Sequence, residues 1–372
     1  MAAPSDIVVV GAGIVGCAVA YELARRGASV HIVDDRPAGM GATQASAGVL
    51  APYIEAREDG PLLELTVASL NLYDAFVANV GAASGASISY QRSGTIDVAL
   101  GDDAMLRLKS SADALRTKGI AADILDGREV RNEEPHLSAD ATGGLLIATH
   151  GFVMAAELTR ALAAAAKKSR AEIVAGRVMR IAAGTDHAIV IDTDRGRLTA
   201  RAVVLAAGSW SGQIDIAGTA ARVPVRPVRG QLLHLQWKGR PLRRVTWSER
   251  CYLVPWRDGT LLVGATVEEA GFDERTTAAG VRDLLDAACE LVPHAWTAGF
   301  LEARAGLRPA SRDELPVIGA SSVIPNLMYA TGHYRNGVLL APLTAALVAD
   351  AMLENRIDPL MASTRPERFG RL

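Results

Sequence analysis

Continuous apolar runs and helix-spaced apolar positions alternate through the first part of the chain. Ile7-Val8-Val9-Val10 is β-branched throughout, the pattern of a buried parallel strand. It leads directly into Gly11-Ala12-Gly13-Ile14-Val15-Gly16, after which Ala18, Val19, Leu23 and Ala24 recur at helical spacing. Arg25 and Arg26 suit a helix C-terminus, and Gly27 can end the helix in a left-handed conformation. Val30, Ile32 and Val33 predict a second strand that ends at Asp34. Farther along, Ala155 to Lys168 reads as an alanine-rich helix, whereas Gly230 to Trp237 and Leu261 to Gly264 read as strands.

Strand, glycines, helix, second strand and acid together form a dinucleotide-binding pattern. Gly11 allows the tight turn, Gly13 lets the backbone approach a pyrophosphate, and Gly16 lets helix and strand pack closely. Asp34 lies 23 residues beyond Gly11, where a carboxylate accepts hydrogen bonds from both hydroxyls of an adenosine ribose. It would repel a 2′-phosphate, which disfavours NADP. The motif leaves FAD and NAD open, and a glycine-rich turn without a ligand is the bland alternative. The small-residue segment from Gly39 to Leu50 either lets the backbone lie against a large flat ligand or forms a mobile loop.

At 372 residues the chain has room for roughly two domains. Lys plus Arg is 39 and Asp plus Glu is 41, so the net charge of -2 lacks the basic excess that a nucleic-acid partner requires. Hydrophobic residues at 49% and charged residues at 22% match a soluble globular protein. Cys17, Cys251 and Cys289 are odd in number and widely separated, which excludes a disulfide framework and fits a reducing cytoplasm. The seven histidines lack HExxH or close pairing, so no metal is expected. Neither Gly-x-Ser-x-Gly nor a P-loop occurs; Gly208-Ser209-Trp210-Ser211-Gly212 has the wrong spacing for a nucleophile elbow. Ile7 to Ala20 does not read as a signal peptide, because Asp6 precedes it and three glycines interrupt it. No run of about 18 apolar residues predicts a membrane span.

Several blocks resemble the D-amino acid oxidase superfamily of flavoproteins, and within it the glycine oxidases of the thiamine pathway. Thr43 with Ala45-Ser46-Ala47-Gly48-Val49-Leu50 is similar to the flavin-contacting segment, and Val203 to Ser211 to the second strand and turn of the FAD domain. Cys251 to Pro255 with Leu262 to Thr266, Ala305 to Pro309, and Gly332 to Gly337 with Leu339 to Pro342 follow in the same order. The resemblance implies an α/β fold, with a Rossmann-like FAD-binding domain at 1–85, 146–220 and 306–372. A second, α+β substrate domain built on an antiparallel sheet would occupy 86–145 and 221–305. It further implies FAD contacts from Gly11, Gly13, Ile14, Val15, Gly16, Asp34, Thr43, Ala47, Gly48, Val49, Leu50, Val178, Ala207, Gly208 and Trp210. His333, Tyr334, Arg335, Asn336, Gly337, Val338 and Leu339 complete the implied cofactor set. Val178 fits a strand core equally well. Gly306 stands where monomeric sarcosine oxidases carry a tethering cysteine, so the FAD is expected to be noncovalent.

For the substrate, the resemblance implies that Arg308 and Tyr252 bind an amino acid carboxylate, with Arg335 as a second cationic contact. A guanidinium suits a carboxylate because it is planar and permanently charged. Gly306-Leu307-Arg308-Pro309 reads as a short turn, and Tyr252 could instead be a core tyrosine. Arg250 and Val267 depart from the histidine and methionine of glycine oxidases. The implied activity is oxidative deamination of glycine and small D- or N-methyl amino acids to an imine, then a 2-oxo acid, with molecular oxygen reduced to hydrogen peroxide. A homotetramer feeding thiazole synthesis is implied as well. The alternatives are a D-amino acid dehydrogenase serving a quinone and a noncatalytic FAD- or NAD-binding module.

Overall fold

The N-terminal β-branched run becomes β1 (Ser5–Val10), followed by α1 (Ile14–Arg25) and β2 (Val30–Asp34), as the periodicity predicts. The computed structural model describes residues 5–55, 60–219 and 222–372; the expected domain crossing at 220/221 lies outside them. β1 pairs in parallel with β2 on one side and with β3 (Gly196–Leu205) on the other. Val10, Val33 and Leu205 thus end in register, and the residues after them form one crevice at the carboxyl edge of a nine-stranded sheet.

Three helices cover one face of this sheet. α1, α3 (Ala155–Lys168) and α4 (Gly337–Leu353) share an aliphatic core with α2 (Pro61–Ser84). α4 contains Pro342, which has no N–H for the Val338 carbonyl four residues earlier. The buried Tyr73 hydroxyl donates to that carbonyl at 2.7 Å. Ser69 enters the next rung: its hydroxyl donates to the Leu339 carbonyl at 2.6 Å and accepts from the Leu343 amide at 3.3 Å. Two side chains of α2 therefore replace bonds that the proline disturbs, and they hold the first turn of α4 in place.

The second sheet has eight strands and is antiparallel apart from one pairing. β4 (Val225–Gln236) lies between β6 (Thr260–Gly264) and the edge strand β7 (Gly299–Ser311), and β5 (Tyr252–Pro255) pairs with the far side of β6. The expected domain crossings at 145/146 and 305/306 fall within the strands Gly143–Ile147 and Gly299–Ser311. Arg308 lies on β7 opposite Val228 of β4, not in the turn that Gly306 and Pro309 suggest. An edge strand tolerates a proline because one side of its backbone needs no ladder bond. Among the described residues, no helix is long and apolar enough to cross a membrane.

Candidate active site

One cavity of about 560 Å³ runs from the β1–α1 turn, along the Gly39–Leu50 segment, to the wall formed by β5, β6 and β7. At its first end the backbone makes the surface. Gly11 has φ +109°, and a Cβ there would meet the Ala206 carbonyl oxygen at 2.5 Å. Gly13 is the opposite case, since the nearest atom to a Cβ would be Thr43 Oγ1 at 3.8 Å. The cavity side of Gly13 is open for a ligand to approach the chain. The N-termini of α1 and α4 both line the cavity, bringing the positive ends of two helix dipoles to it.

Asp34 closes this end. Its Oδ2 accepts from the Ala12 amide at 2.6 Å and its Oδ1 from the Arg36 amide at 2.8 Å. Burial raises its pKa in spite of those two bonds, which work in the other direction. Each oxygen keeps lone-pair capacity for a ribose hydroxyl. Asp35, the neighbouring acid, is paired instead with Arg177 at 2.7 Å.

At the other end side chains make the surface. Tyr252 lies directly across the ladder from Gly264, and a Cβ on Gly264 would overlap the Tyr252 hydroxyl. Arg308 leans diagonally over Gly230, where a Cβ would overlap its guanidinium. Two strand glycines thus clear flat ground for two functional groups. Arg308 Nη1 donates to the Thr266 carbonyl at 2.9 Å and the Arg229 carbonyl at 3.3 Å, which fixes the fork against the sheet. Burial pushes the Tyr252 phenol up to about 12, with the positive charge of Arg308 pulling the other way, so the hydroxyl remains a neutral donor. Trp247 packs on Tyr252 with ring centroids 4.9 Å apart.

Arg335 lines the same cavity from an exposed position, its guanidinium carbon 5.1 Å from the Tyr334 ring centroid. His333 is buried beside Thr344 at 3.0 Å, and burial lowers its imidazole to about 3. Of the residues expected from the sequence, Tyr252, Arg308 and Arg335 meet in this cavity, as do most of the expected cofactor contacts. Four do not line it. Gly16 packs against the Gly11 carbonyl, where any Cβ would collide, while Leu50 and Leu339 are buried in the aliphatic core. Asn336 is the buried N-cap residue of α4. Val178 both lines the cavity and begins a strand, so its two readings coexist. Gly230, Trp247 and Arg36 were missed from the sequence; a glycine inside a strand pattern was the available signal for Gly230.

A glycine turn followed by a buried acid, and a facing sheet that presents a guanidinium and a phenol to the same cavity, are the pattern of a dinucleotide-dependent enzyme of the α/β class. The chain belongs to the DAO family of FAD-dependent oxidoreductases, whose sequence profile matches residues 6–351. It is 33% identical to a glycine oxidase of Geobacillus kaustophilus over 93% of this chain and 92% of that one. The crystal structure of glycine oxidase from Geobacillus kaustophilus superimposes with a TM-score of 0.94 over 98% of this chain and 99% of that one, at 32% identity. The chain is 34% identical to the bifunctional protein ThiO/ThiG of a Nostoc species, matching over 96% of its own length but spanning only 54% of that relative. FAD is the cofactor of the family, and the open face of Gly13, the Asp34 carboxylate and the two helix N-termini fit it.

Proposed function

We propose that the chain oxidises glycine and small D- or N-methyl amino acids to an imine, which water hydrolyses to a 2-oxo acid and an amine or ammonia. Molecular oxygen is reduced to hydrogen peroxide in the same cycle. The observation that carries this reading is the placement of Arg308 and Tyr252 over strand glycines on the wall facing the dinucleotide turn. FAD, when bound, would supply the two-electron redox chemistry that links amino acid oxidation to oxygen reduction. Arg308 holds the substrate carboxylate in a bidentate fork, Tyr252 donates its neutral hydroxyl to the same group, and Arg335 adds positive charge. Orientation of the α-hydrogen is the main demand, so no side-chain base is required.

The small-substrate preference follows the likeness to enzymes named glycine oxidase, and oxygen is favoured over a quinone for the same reason. The relatives named ThiO/ThiG support a role in supplying the imine for thiamine thiazole synthesis. The family likeness also supports a cytoplasmic homo-oligomer and the division into a discontinuous FAD-binding domain and a substrate domain. Val267 and Arg250 both line the cavity, so they tune which amino acids enter. The test is a substrate screen of the purified yellow protein with peroxide readout. Glycine, sarcosine and D-alanine should be oxidised faster than D-phenylalanine, and acid should release the flavin. A higher kcat/KM for D-phenylalanine, or bleaching without peroxide, would replace this reading with the broader D-amino acid enzyme or the dehydrogenase.

A further inference from the structure

Arg36 follows the ribose acid by two residues, and its side chain reaches across the rim of the cavity rather than into it. Its Nη1 and Nη2 form a paired contact with Glu274 Oε1 and Oε2 at 3.0 and 2.9 Å. The same guanidinium lies over the Trp210 indole, 4.4 Å from the ring centroid. Trp210 in turn meets Phe272, with centroids 6.0 Å apart, and packs 3.5 Å from where a Gly41 Cβ would stand. Arg36 and Trp210 line the cavity, while Glu274 and Phe272 back them from outside.

Glu274 and Phe272 belong to the connection 265–277 between β6 and the helix Ala278–Leu291. A connection of this length without a regular element of its own usually has a task. Its root is fixed on β4. The largely buried Arg229 pairs with Asp273 at 3.1 Å and donates to the Arg275 carbonyl at 3.2 Å, and the Thr277 amide donates to Gln231 Oε1 at 2.7 Å. A segment rooted in the second sheet therefore grips the two residues that wall the dinucleotide end.

We propose that Glu274 and Phe272 are positioning residues for the cofactor: they hold Arg36 and Trp210 as a clasp over the Asp34 end of the cavity and slow the release of FAD. Bidentate geometry and the aromatic face give the Arg36–Glu274 pair more than an isolated surface ion pair offers. Its partial exposure makes it sensitive to salt.

The experiment uses the holoenzyme. FAD release is followed by the rise in flavin fluorescence after extensive dilution into buffer, where rebinding is negligible, for wild type, Glu274→Gln and Phe272→Ala. Melting temperatures of the apo- and holo-forms are recorded on the same preparations. Release should quicken by about five- to tenfold in Glu274→Gln, corresponding to about 1 to 1.4 kcal/mol, and its dependence on salt should largely vanish. Phe272→Ala should shift in the same direction, and kcat at saturating FAD should stay within about twofold. The melting temperature should fall in the holo-form and not in the apo-form. Unchanged release rates, or an equal fall in both forms, would overturn the proposal.

Discussion

At the Gly11 end of the cavity a ligand meets backbone, and at the Arg308 end it meets side chains, yet both ends depend on glycine. Gly13 lacks a side chain so that the ligand itself can approach the chain. Gly230 and Gly264 lack side chains so that an arginine and a tyrosine of the neighbouring strands can lie flat against the sheet. The first arrangement suits an anion whose charge is spread over a pyrophosphate, since several amides share it. The second suits a small carboxylate that must be held at one angle, since a fork braced by the Thr266 and Arg229 carbonyls sets direction as well as charge.

Substitutions at the two ends should therefore separate cofactor binding from substrate binding. Arg308→Ala should lower kcat/KM for glycine by about 2 to 5 kcal/mol, mostly through KM, with full FAD content. Asp34→Ala should do the reverse, weakening FAD by about 1.5 to 3 kcal/mol while leaving the KM of the loaded fraction near normal. Steady-state kinetics and flavin titration on the same preparations check both, and a crossed result would break the division between the ends.

A gentler change sharpens it. Gly230→Ala and Gly264→Ala place a methyl group against the movable ends of Arg308 and Tyr252, not against backbone. The Arg308 fork must then leave its two carbonyls and the Tyr252 ring must shift beneath Trp247, so kcat/KM should fall by about 1 to 2 kcal/mol, with a smaller effect on the melting temperature. A fall in melting temperature with unchanged kinetics would make these glycines structural.

The last expected effect is confined to acid. His150 and His333 are both lowered to about 3 by burial, first and foremost, from an ordinary value of 6.5. Between those values the unfolded chain takes up protons that the native state does not. The stability linked to each imidazole is complete above pH 6.5 and declines as pH falls toward 3, by roughly 1.4 kcal/mol per pH unit. Denaturant melts of wild type and His333→Asn across this range should show a shallower slope in the variant; equal slopes would mean that His333 titrates normally.

The same contrast explains what could be read from the sequence. β1, the glycine turn, α1, β2 and Asp34 are consecutive, so period, turn chemistry and acid all lie within one short window. The Arg308 end is a product of strand register: Tyr252 meets Gly264, and Arg308 reaches Gly230, only after β4, β5, β6 and β7 have paired. Local spacing holds no record of that, and it led Gly306 and Pro309 to be read as a turn. Family resemblance, not periodicity, pointed to Arg308 and Tyr252. It did not reveal Arg36, whose partner Glu274 lies 238 positions away.

The proline within α4 sets an order on sequence drift. Tyr73 and the Val338 carbonyl it satisfies are 265 positions apart, yet they are bound by one missing N–H at Pro342. A lineage that loses the Tyr73 hydroxyl first passes through a chain with an orphaned buried carbonyl, at a cost of about 1 to 3 kcal/mol. A lineage that replaces Pro342 first restores the amide and frees position 73 to change afterwards. Recombination between relatives that differ at these two positions meets the same rule: a proline-bearing α4 joined to an α2 without the Tyr73 hydroxyl leaves the Val338 carbonyl unpaired and the first turn of α4 without its brace.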